Sequence, residues 1–274
     1  MKTDLRETSN IYLATPFILN NYKKLDDYLE FLKKNGAKYY ELYNILMKTS
    51  GKTLIYSNFI EKGTAPAEKL LQLMGVQYLS LKSNMTDEER GALVDTFVKN
   101  ADTLGKYDYL IISSIGAEGL DLKNVRHVHI MEPHWANTKL DQIITRAVRL
   151  NSHASLPKEE QTVEIYNYVC DFDPEFESPK TQDAISNEFN LPPEVLNIVF
   201  TTTPIDIDIY DVADKKNLVY SALREILRKV SVACLVTEDD KKICMTYERD
   251  ENALYNIDVR SEERRVGKEC RSRW

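Results

Sequence analysis

Three side chains near the middle of the chain have the types and spacing to bind a chain of phosphates. Gln142, Arg146 and Arg149 stand at positions i, i+4 and i+7, so one helix would carry all three on one face. Guanidinium groups donate paired hydrogen bonds that match phosphate oxygens. Taken alone, the pattern also describes the solvated face of an ordinary helix. The opposite face is apolar and is expected to pack on a sheet through Ile143, Ala147 and Leu150.

A second candidate segment, "IISSIGAEGLDL", lies about thirty residues earlier. It reads as an apolar strand followed by a Ser/Gly-rich turn. In open α/β sheets, ligands bind where the parallel strands end. Ser113 could donate to a phosphate, Asp121 could accept from a ribose hydroxyl, and Gly116 and Gly119 permit close backbone approach. The alternative interpretation is a set of turn glycines with a local Asx turn.

The triplet Gly51-Lys52-Thr53 matches the last three letters of a phosphate-binding P-loop. The first glycine of that motif is replaced here by Leu46. A helix pattern precedes the triplet and a strand pattern follows it, the reverse of what a P-loop requires. We therefore expect Lys52 to be a surface residue before a strand. No Asp-Glu pair follows an apolar strand either, so both Walker motifs are predicted to be absent.

The elements that must position these residues alternate along the chain. Five short runs rich in Ile, Val, Leu and Tyr predict strands at 53–57, 76–81, 108–113, 127–131 and 162–169. Helix patterns lie between them at 65–74, 87–100 and 138–149, and Thr86 with Glu89 forms a capping box before the second. This order predicts an α/β fold: a parallel sheet of about five or six strands with helices on both faces.

The outer segments suggest a modular chain. Residues 1–36 read as a helical lead-in that ends at Gly36, residues 171–183 as a linker, and residues 184–259 as a small, mostly helical or α/β extension with a helix at 212–230. Residues 260–274 carry six Arg or Lys against three Glu. They are either a basic tail for nucleic acid or foreign, adapter-derived sequence, and we favour the second.

Composition narrows the class of protein. The 274 residues carry a net charge of −7 from 36 basic and 43 acidic side chains, which gives no overall basic character for nucleic-acid binding. A local basic face remains compatible with that balance. No apolar run or leader predicts a membrane span or secretion. The four cysteines are widely spaced and are expected to be reduced thiols in a cytosol-like compartment.

These segments resemble the second RecA-like lobe of superfamily 2 helicases and translocases. Motif V of that family has a Ser or Thr six residues before a Gly and eight before an Asp, as in Ser113, Gly119 and Asp121. Motif VI, Q-x-x-G-R-x-x-R, resembles "QIITRAVR", with Thr145 in place of the glycine. Motif IV resembles "TLIYSN", which ends at Asn58.

The resemblance covers roughly residues 37–170 and extends to particular branches of the family. "EPHWANTKLDQ" is similar to the Asp-Pro-x-Trp-Asn segment of Swi/Snf-type translocases. "RAVRLNSH" followed by "VEIYNYV" looks closest to poxvirus and giant-virus nucleoside triphosphatases involved in transcription.

The resemblance implies a two-lobed motor with ATP in the cleft between its lobes. A first lobe, absent from this chain, would carry Walker A and B and hold Mg²⁺. The expected catalytic residues are Gln142 and the arginine fingers Arg146 and Arg149. The expected nucleotide-binding residues are Gly119 and Asp121. The residues expected to contact the DNA or RNA backbone are Ser57, Asn58 and Ser113; no metal ligands are expected.

The resemblance also implies partners and a cellular place. The expected partners are ATP, nucleic acid, the first lobe of the same native chain and a viral transcription machinery, but no membrane. A viral protein of this kind would be cytoplasmic or virion-associated. The chain alone is predicted not to hydrolyse ATP. The alternative hypothesis is a helicase-like scaffold or nucleic-acid-binding module without enzymatic activity.

Overall fold

The computed structural model describes residues 10–11, 16–82, 85–99, 108–113, 121–171 and 203–231. The helices are α1 Pro16–Asn21, α2 Leu25–Asn35, α3 Ala37–Leu46, α4 Ala65–Leu73, α5 Asp87–Lys99, α6 Asn137–Ala147 and α7 Ile205–Val230. The strands are β1 Lys52–Tyr56, β2 Tyr78–Leu81, β3 Tyr109–Ile112, β4 Val125–Ile130 and β5 Glu164–Asn167. A π-helical turn at Ile60–Thr64 leads into α4, and a 3₁₀ turn lies at Lys158–Glu160.

The five strands form one parallel sheet in the order β2-β3-β1-β4-β5. The register aligns Ile55 of β1 with Ile111 of β3 and with His129 of β4. Each predicted strand is present, and the expected α/β fold with a parallel sheet is confirmed. Because every strand runs the same way, all five carboxyl ends lie along one edge of the sheet, which we call the carboxyl edge.

Two apolar layers cover the sheet because successive side chains of a strand point to opposite faces. Ile55, Ile111 and Met131 pack with residues of α1 to α4. Leu54 and Tyr56 pack on the other face with residues of α5 and α6. All five residues of β1 are buried, as expected for the central strand of a sheet covered on both sides.

The capping box before α5 forms as predicted. The backbone N–H of Glu89 donates to the Thr86 hydroxyl at 3.2 Å, and the backbone N–H of Thr86 donates to the Glu89 carboxylate at 2.9 Å.

The expectation that Lys52 is a surface residue is wrong. Its side chain is buried, and its ammonium donates to the carbonyls of Phe97 and Val98 in the last turn of α5. Helix carboxyl ends present carbonyls that lack intrahelical donors, so a cation is stabilised there. Lys52 begins β1, so the Gly51-Lys52-Thr53 triplet lies at the sheet edge opposite the carboxyl edge.

The helix predicted at 138–149 ends at Ala147, two residues early. Ile143 and Ala147 are buried as expected, but Leu150 is 94% exposed, so its predicted packing on the sheet is wrong. The chain leaves the helix at Val148, whose backbone angles are not helical. Arg149 therefore follows the helix instead of lying on its face.

The chain divides into two compact units, Met1–Leu218 and Val219–Trp274. In the first unit, α7 buries Asp206, Ile209 and Ala213 at the spacing of one helix face. In the second unit the described residues are 219–231, which continue α7. The predicted linker, apart from Asp171, and the predicted tail lie outside the described residues. Within those residues, no helix combines the length and apolar character that a membrane span requires.

Candidate nucleotide and nucleic-acid site

The carboxyl edge gathers polar residues from three neighbouring strands. Ser57, Ser113 and Glu132 follow β1, β3 and β4, and all three are buried. The sheet pairing continues to this edge, since the N–H of Ser57 donates to the carbonyl of Ile112 at 3.2 Å. The fold therefore places the two predicted serines on adjacent strands, at the position where open α/β sheets bind ligands.

Glu132 is an almost fully enclosed carboxylate at this edge, with 2% of its surface exposed. The Ser57 hydroxyl donates to it at 3.0–3.1 Å, the Asn10 amide donates at 3.0 Å, and the backbone N–H of Asn58 donates to the same group. Burial raises the pKa of Glu132, while these donors and the nearby Lys38 act to lower it. The carboxylate thus joins three chain segments that are distant in sequence.

Ser57 was expected to contact nucleic acid, but the structure encloses its side chain completely. Besides the bond to Glu132, its hydroxyl accepts from the N–H of Phe59 at 3.2 Å. On the other side lies Gly63, where an added Cβ would stand 2.0 Å from the Ser57 oxygen. In this conformation the hydroxyl holds the loop after β1 and does not face solvent.

Asn58, the next predicted nucleic-acid contact, is half-buried and paired with a residue that sequence reasoning missed. The Lys139 ammonium, in the first turn of α6, donates to the Asn58 side-chain oxygen at 3.1 Å. We call these two side chains the Asn58–Lys139 pair. A lysine shortly after the "EPHW" segment was the only local signal, and the sheet order is what brings α6 beside the end of β1.

Ser113 is 4% exposed and borders a cleft of about 290 Å³ at the ends of β2 and β3. Glu68 and Lys82 also line this cleft, with their charged groups 3.7 Å apart. Gly116 and Gly119 lie outside the described residues. The predicted roles of Ser113 and Gly119 therefore stay predictions.

The second part of the site, which we call the arginine side, consists of Gln142, Arg146, Arg149 and Asp121. It is more exposed to solvent than the residues around Glu132. Gln142 is exposed and Arg146 half-buried on α6, while the Arg149 guanidinium lies 2.9 Å from the Asp121 carboxylate. Their side chains are 38% and 62% exposed. The structure thus joins one residue of the predicted motif VI with one of the predicted motif V, a contact that the sequence did not indicate.

The loop after α6 fixes the position of Arg149. Its backbone N–H donates to the Ser152 hydroxyl at 3.2 Å, and Asn151 adopts a left-handed conformation with φ of 62°. His153 is buried, and its Nε2 donates to the carbonyl of Val125 at 2.7 Å. The loop is therefore tied to the beginning of β4. A cleft of about 450 Å³ beside it is lined in part by Arg149 and His153.

The described residues contain no group of three or more His, Cys, Asp or Glu side chains arranged to hold a metal ion. His127 and His129 on β4 take structural roles instead. His129 Nδ1 lies 2.8 Å from the Tyr168 hydroxyl, and His127 Nε2 donates to the carbonyl of Ser50 at 3.0 Å. Burial, reinforced by the nearby His127, lowers the pKa of His129 to about 3.

Comparison with known proteins defines the class of this domain. Residues 20–151 match the family described as Helicase conserved C-terminal domain. They contain the residues that resemble motifs IV, V and VI, and they carry four of the five strands of the parallel sheet. Over residues 20–151, just under half of its length, the chain is therefore similar to helicase conserved C-terminal domains.

Two relatives of the chain are viral proteins. It is 31% identical over 163 residues to an Acanthamoeba polyphaga mimivirus protein named as a putative ATP-dependent RNA helicase, covering 60% of this chain and 34% of that protein. It is 30% identical over 194 residues to a termination factor NPH-I homolog of African swine fever virus. That match covers 69% of this chain and 25% of the viral protein. The chain therefore spans about a third or less of these relatives.

One solved structure that the chain matches in part is the C-terminal part of the Fun30 ATPase domain. It is 18% identical, with a TM-score of 0.42, and the match covers 66% of this chain and 53% of that one.

Proposed function

We propose that this chain is the second lobe of a nucleic-acid-dependent ATPase and that it supplies arginines to ATP held by a first lobe of the same native protein. The observation that carries the proposal is the open arginine side of a helicase C-terminal domain. There the Arg149 guanidinium reaches solvent beside Asp121, and the half-buried Arg146 lies in the last turn of α6.

The Arg149–Asp121 contact suits a residue that must later change partners. An exposed ion pair contributes about 1 kcal/mol or less, so a polyphosphate can displace the carboxylate at little cost. Once released, Asp121 can accept from a ribose hydroxyl beside Gly119, and Gln142 can hydrogen-bond near the phosphates. Bidentate guanidinium contacts to phosphate are among the stronger hydrogen bonds in proteins.

The catalytic contribution of this lobe would be electrostatic. During phosphoryl transfer, charge spreads over the oxygens of the γ-phosphoryl group, and an arginine at that position accelerates the reaction by roughly 10³–10⁵. Mg²⁺ held by the first lobe would neutralise further charge on the phosphates. Arg146 and Arg149 bind and orient the phosphates only when the lobes close, which couples hydrolysis to lobe movement.

The carboxyl edge would grip one strand of DNA or RNA. The Asn58–Lys139 pair offers an amide and a cation to phosphate oxygens, and Ser113 offers a hydroxyl beside its cleft. Ser57 acts indirectly, since its hydroxyl fixes the loop that carries Asn58. Contacts to phosphates carry no sequence information, which suits a motor that moves over any sequence.

The names of the viral relatives support a role in viral transcription, with the protein in the cytoplasm or the virion. The African swine fever virus relative is named as a termination factor homolog and the mimivirus relative as an RNA helicase. We therefore propose a transcribing polymerase or its nascent RNA as the setting in which the motor acts.

The test is an ATPase assay on residues 1–259 and on the protein that carries both lobes, each with and without single-stranded DNA and RNA. We expect turnover that nucleic acid stimulates from the two-lobed protein and none above background from the single lobe. Stimulated turnover by the single lobe would contradict the proposal. A two-lobed protein that binds nucleic acid without turnover would favour the scaffold hypothesis.

A further inference from the structure

A continuous series of buried polar contacts runs away from the carboxyl edge behind Asn58. It starts at Glu132, which accepts from the backbone N–H of Asn58 and from the Asn10 amide. The Asn10 side-chain oxygen accepts from the Lys38 ammonium at 2.9 Å, and that ammonium lies 2.5 Å from the Asp206 carboxylate. We call the four residues Asn10, Lys38, Glu132 and Asp206 the buried polar network.

Burying these polar and charged side chains is unfavourable for folding, so the buried polar network is expected to position another group. All four side chains are at most 3% exposed, and burying a charged group is unfavourable even when it is paired. Burial acts to raise the pKa of Glu132, in keeping with this cost. An apolar residue at position 132 would avoid it, so a buried carboxylate points to a need for geometry.

The group that Glu132 orients is the beginning of the loop after β1. Its carboxylate receives both the Ser57 hydroxyl and the Asn58 N–H, so two consecutive residues are fixed by one acceptor. With its backbone fixed there, Asn58 presents its side-chain oxygen to Lys139. The direction of the Asn58–Lys139 pair therefore depends on a residue that does not itself face the ligand.

We infer that Glu132 is a positioning residue for nucleic-acid binding, which holds the Asn58–Lys139 pair toward a phosphate and is itself held by Asn10. The inference rests on the proposed function. Glu132 makes no contact with the nucleic acid or with ATP. Its loss weakens the grip on nucleic acid and leaves the handling of ATP intact.

The experiment uses the two-lobed protein and the substitution Glu132→Gln, which keeps the side-chain size but removes the charge and replaces one of the two acceptor oxygens by a donor, so that Asn10 and Asn58 no longer both find an acceptor. We expect the single-stranded oligonucleotide concentration that half-saturates the stimulated ATPase to rise about tenfold, because hydrogen bonds to a charged acceptor are lost. The ATP KM and the saturated kcat should change by less than about twofold, because the ATP side is untouched.

Salt dependence separates positioning from a general loss of structure. Lys139→Gln removes one cation from a phosphate, so the slope of log affinity against log salt should fall by about one. Glu132→Gln should lower the slope by a similar amount, and the double variant should show no further decrease, because both changes act through one pair. A structural defect alone lowers the folded fraction without changing this slope.

A matched control and a second variant complete the test. Glu164→Gln replaces an exposed carboxylate on β5 and should leave the half-saturating concentration unchanged. Asn10→Ala removes one donor to Glu132 and should raise the half-saturating oligonucleotide concentration about threefold. The inference therefore remains testable if Glu132→Gln fails to fold.

The outcomes distinguish the inference from the proposed function. If nucleic acid does not stimulate the unmodified protein, the proposed function is wrong and the inference falls with it. If the unmodified protein is stimulated but a folded Glu132→Gln or Asn10→Ala variant keeps its half-saturation and salt slope, the inference alone is overturned.

Discussion

The two halves of the candidate site are built in opposite ways. Behind Asn58, the buried polar network satisfies its charges inside the protein, with Lys38 and Asp206 2.5 Å apart and both side chains at most 2% exposed. On the arginine side, Arg149 and Asp121 are paired at 2.9 Å with their side chains 38% and 62% exposed. The two ion pairs have similar lengths but very different surroundings.

The difference suggests a division of tasks within one lobe. Breaking a buried ion pair leaves a charge without water or a partner, so the fold keeps that region fixed. An exposed pair is screened and easily exchanged. Under the proposed function, the nucleic-acid contacts would thus be formed in advance, whereas the arginines would stay available for the phosphates of ATP bound by another lobe.

The largest effect on stability should come from the buried pair. Asp206→Asn removes the charge opposite Lys38 at nearly constant size and should lower the free energy of unfolding by about 3–5 kcal/mol. Urea unfolding followed by circular dichroism measures this change. A loss below about 1 kcal/mol is typical of an exposed ion pair, and it would contradict the proposed difference between the Lys38–Asp206 and Arg149–Asp121 pairs.

Gly63 tests how tightly the loop around Ser57 is packed. An alanine there would place its Cβ 2.0 Å from the Ser57 oxygen, which Glu132 already holds in place. We expect Gly63→Ala to cost about 1–3 kcal/mol of stability. Gly91→Ala is the matched control, since nothing lies within 4 Å of that position in α5, and it should stabilise by about 0.5–1 kcal/mol. Equal effects of the two changes would contradict the close approach.

His129 extends the comparison to a buried titratable group. Burial lowers the pKa of His129 from 6.5 to about 3. Between pH 6.5 and about 3, the imidazole therefore binds a proton in the unfolded chain but not in the folded chain. The contribution of His129 to the free energy of unfolding is therefore complete above pH 6.5. It falls by about 1.4 kcal/mol for each pH unit below 6.5.

His129→Gln should remove that contribution, so stability measured between about pH 6.5 and 5 should fall less steeply than in the unmodified protein. Tyr168→Phe, which removes the hydrogen bond but keeps the imidazole, should lower stability and retain the slope. An unchanged slope in His129→Gln would mean that the buried imidazole is not the titrating group.

The smallest effect is expected at the exposed pair. Asp121→Asn should change the free energy of unfolding by less than about 1 kcal/mol, and added salt should reduce the difference further. A loss of several kcal/mol, measured beside Asp206→Asn under the same conditions, would show that Arg149 is structural.

Local patterns predicted much of the fold, because strand composition and capping act over a few residues. The five strands and the Thr86–Glu89 capping box are examples. Leu150 was misplaced because a helical pattern does not reveal that Val148 leaves the helix. Lys52 was misplaced because its partners in α5 lie 45 or more residues away.

The candidate site also combines features that local sequence predicts with features that depend on distant contacts. Its arginines could be named from spacing, Ser113 from the end of a predicted strand, and Ser57 from the resemblance to motif IV. The Arg149–Asp121 contact and the enclosure of Ser57 depend instead on how distant segments meet. Glu132 carried no local signal, since its donors at Asn10 and Ser57 are 122 and 75 residues away. Only the tertiary fold brings such residues together.

The central claim is that Arg149 acts on the phosphates of ATP bound by another lobe. Its most direct test is Arg149→Ala in the two-lobed protein, with kcat measured at saturating ATP and nucleic acid and ATP affinity measured separately by equilibrium binding. We predict that kcat falls by roughly 10³ or more while the Kd for ATP rises by less than about tenfold, because the arginine stabilises the transition state more than the ground state. An unchanged kcat would contradict the account.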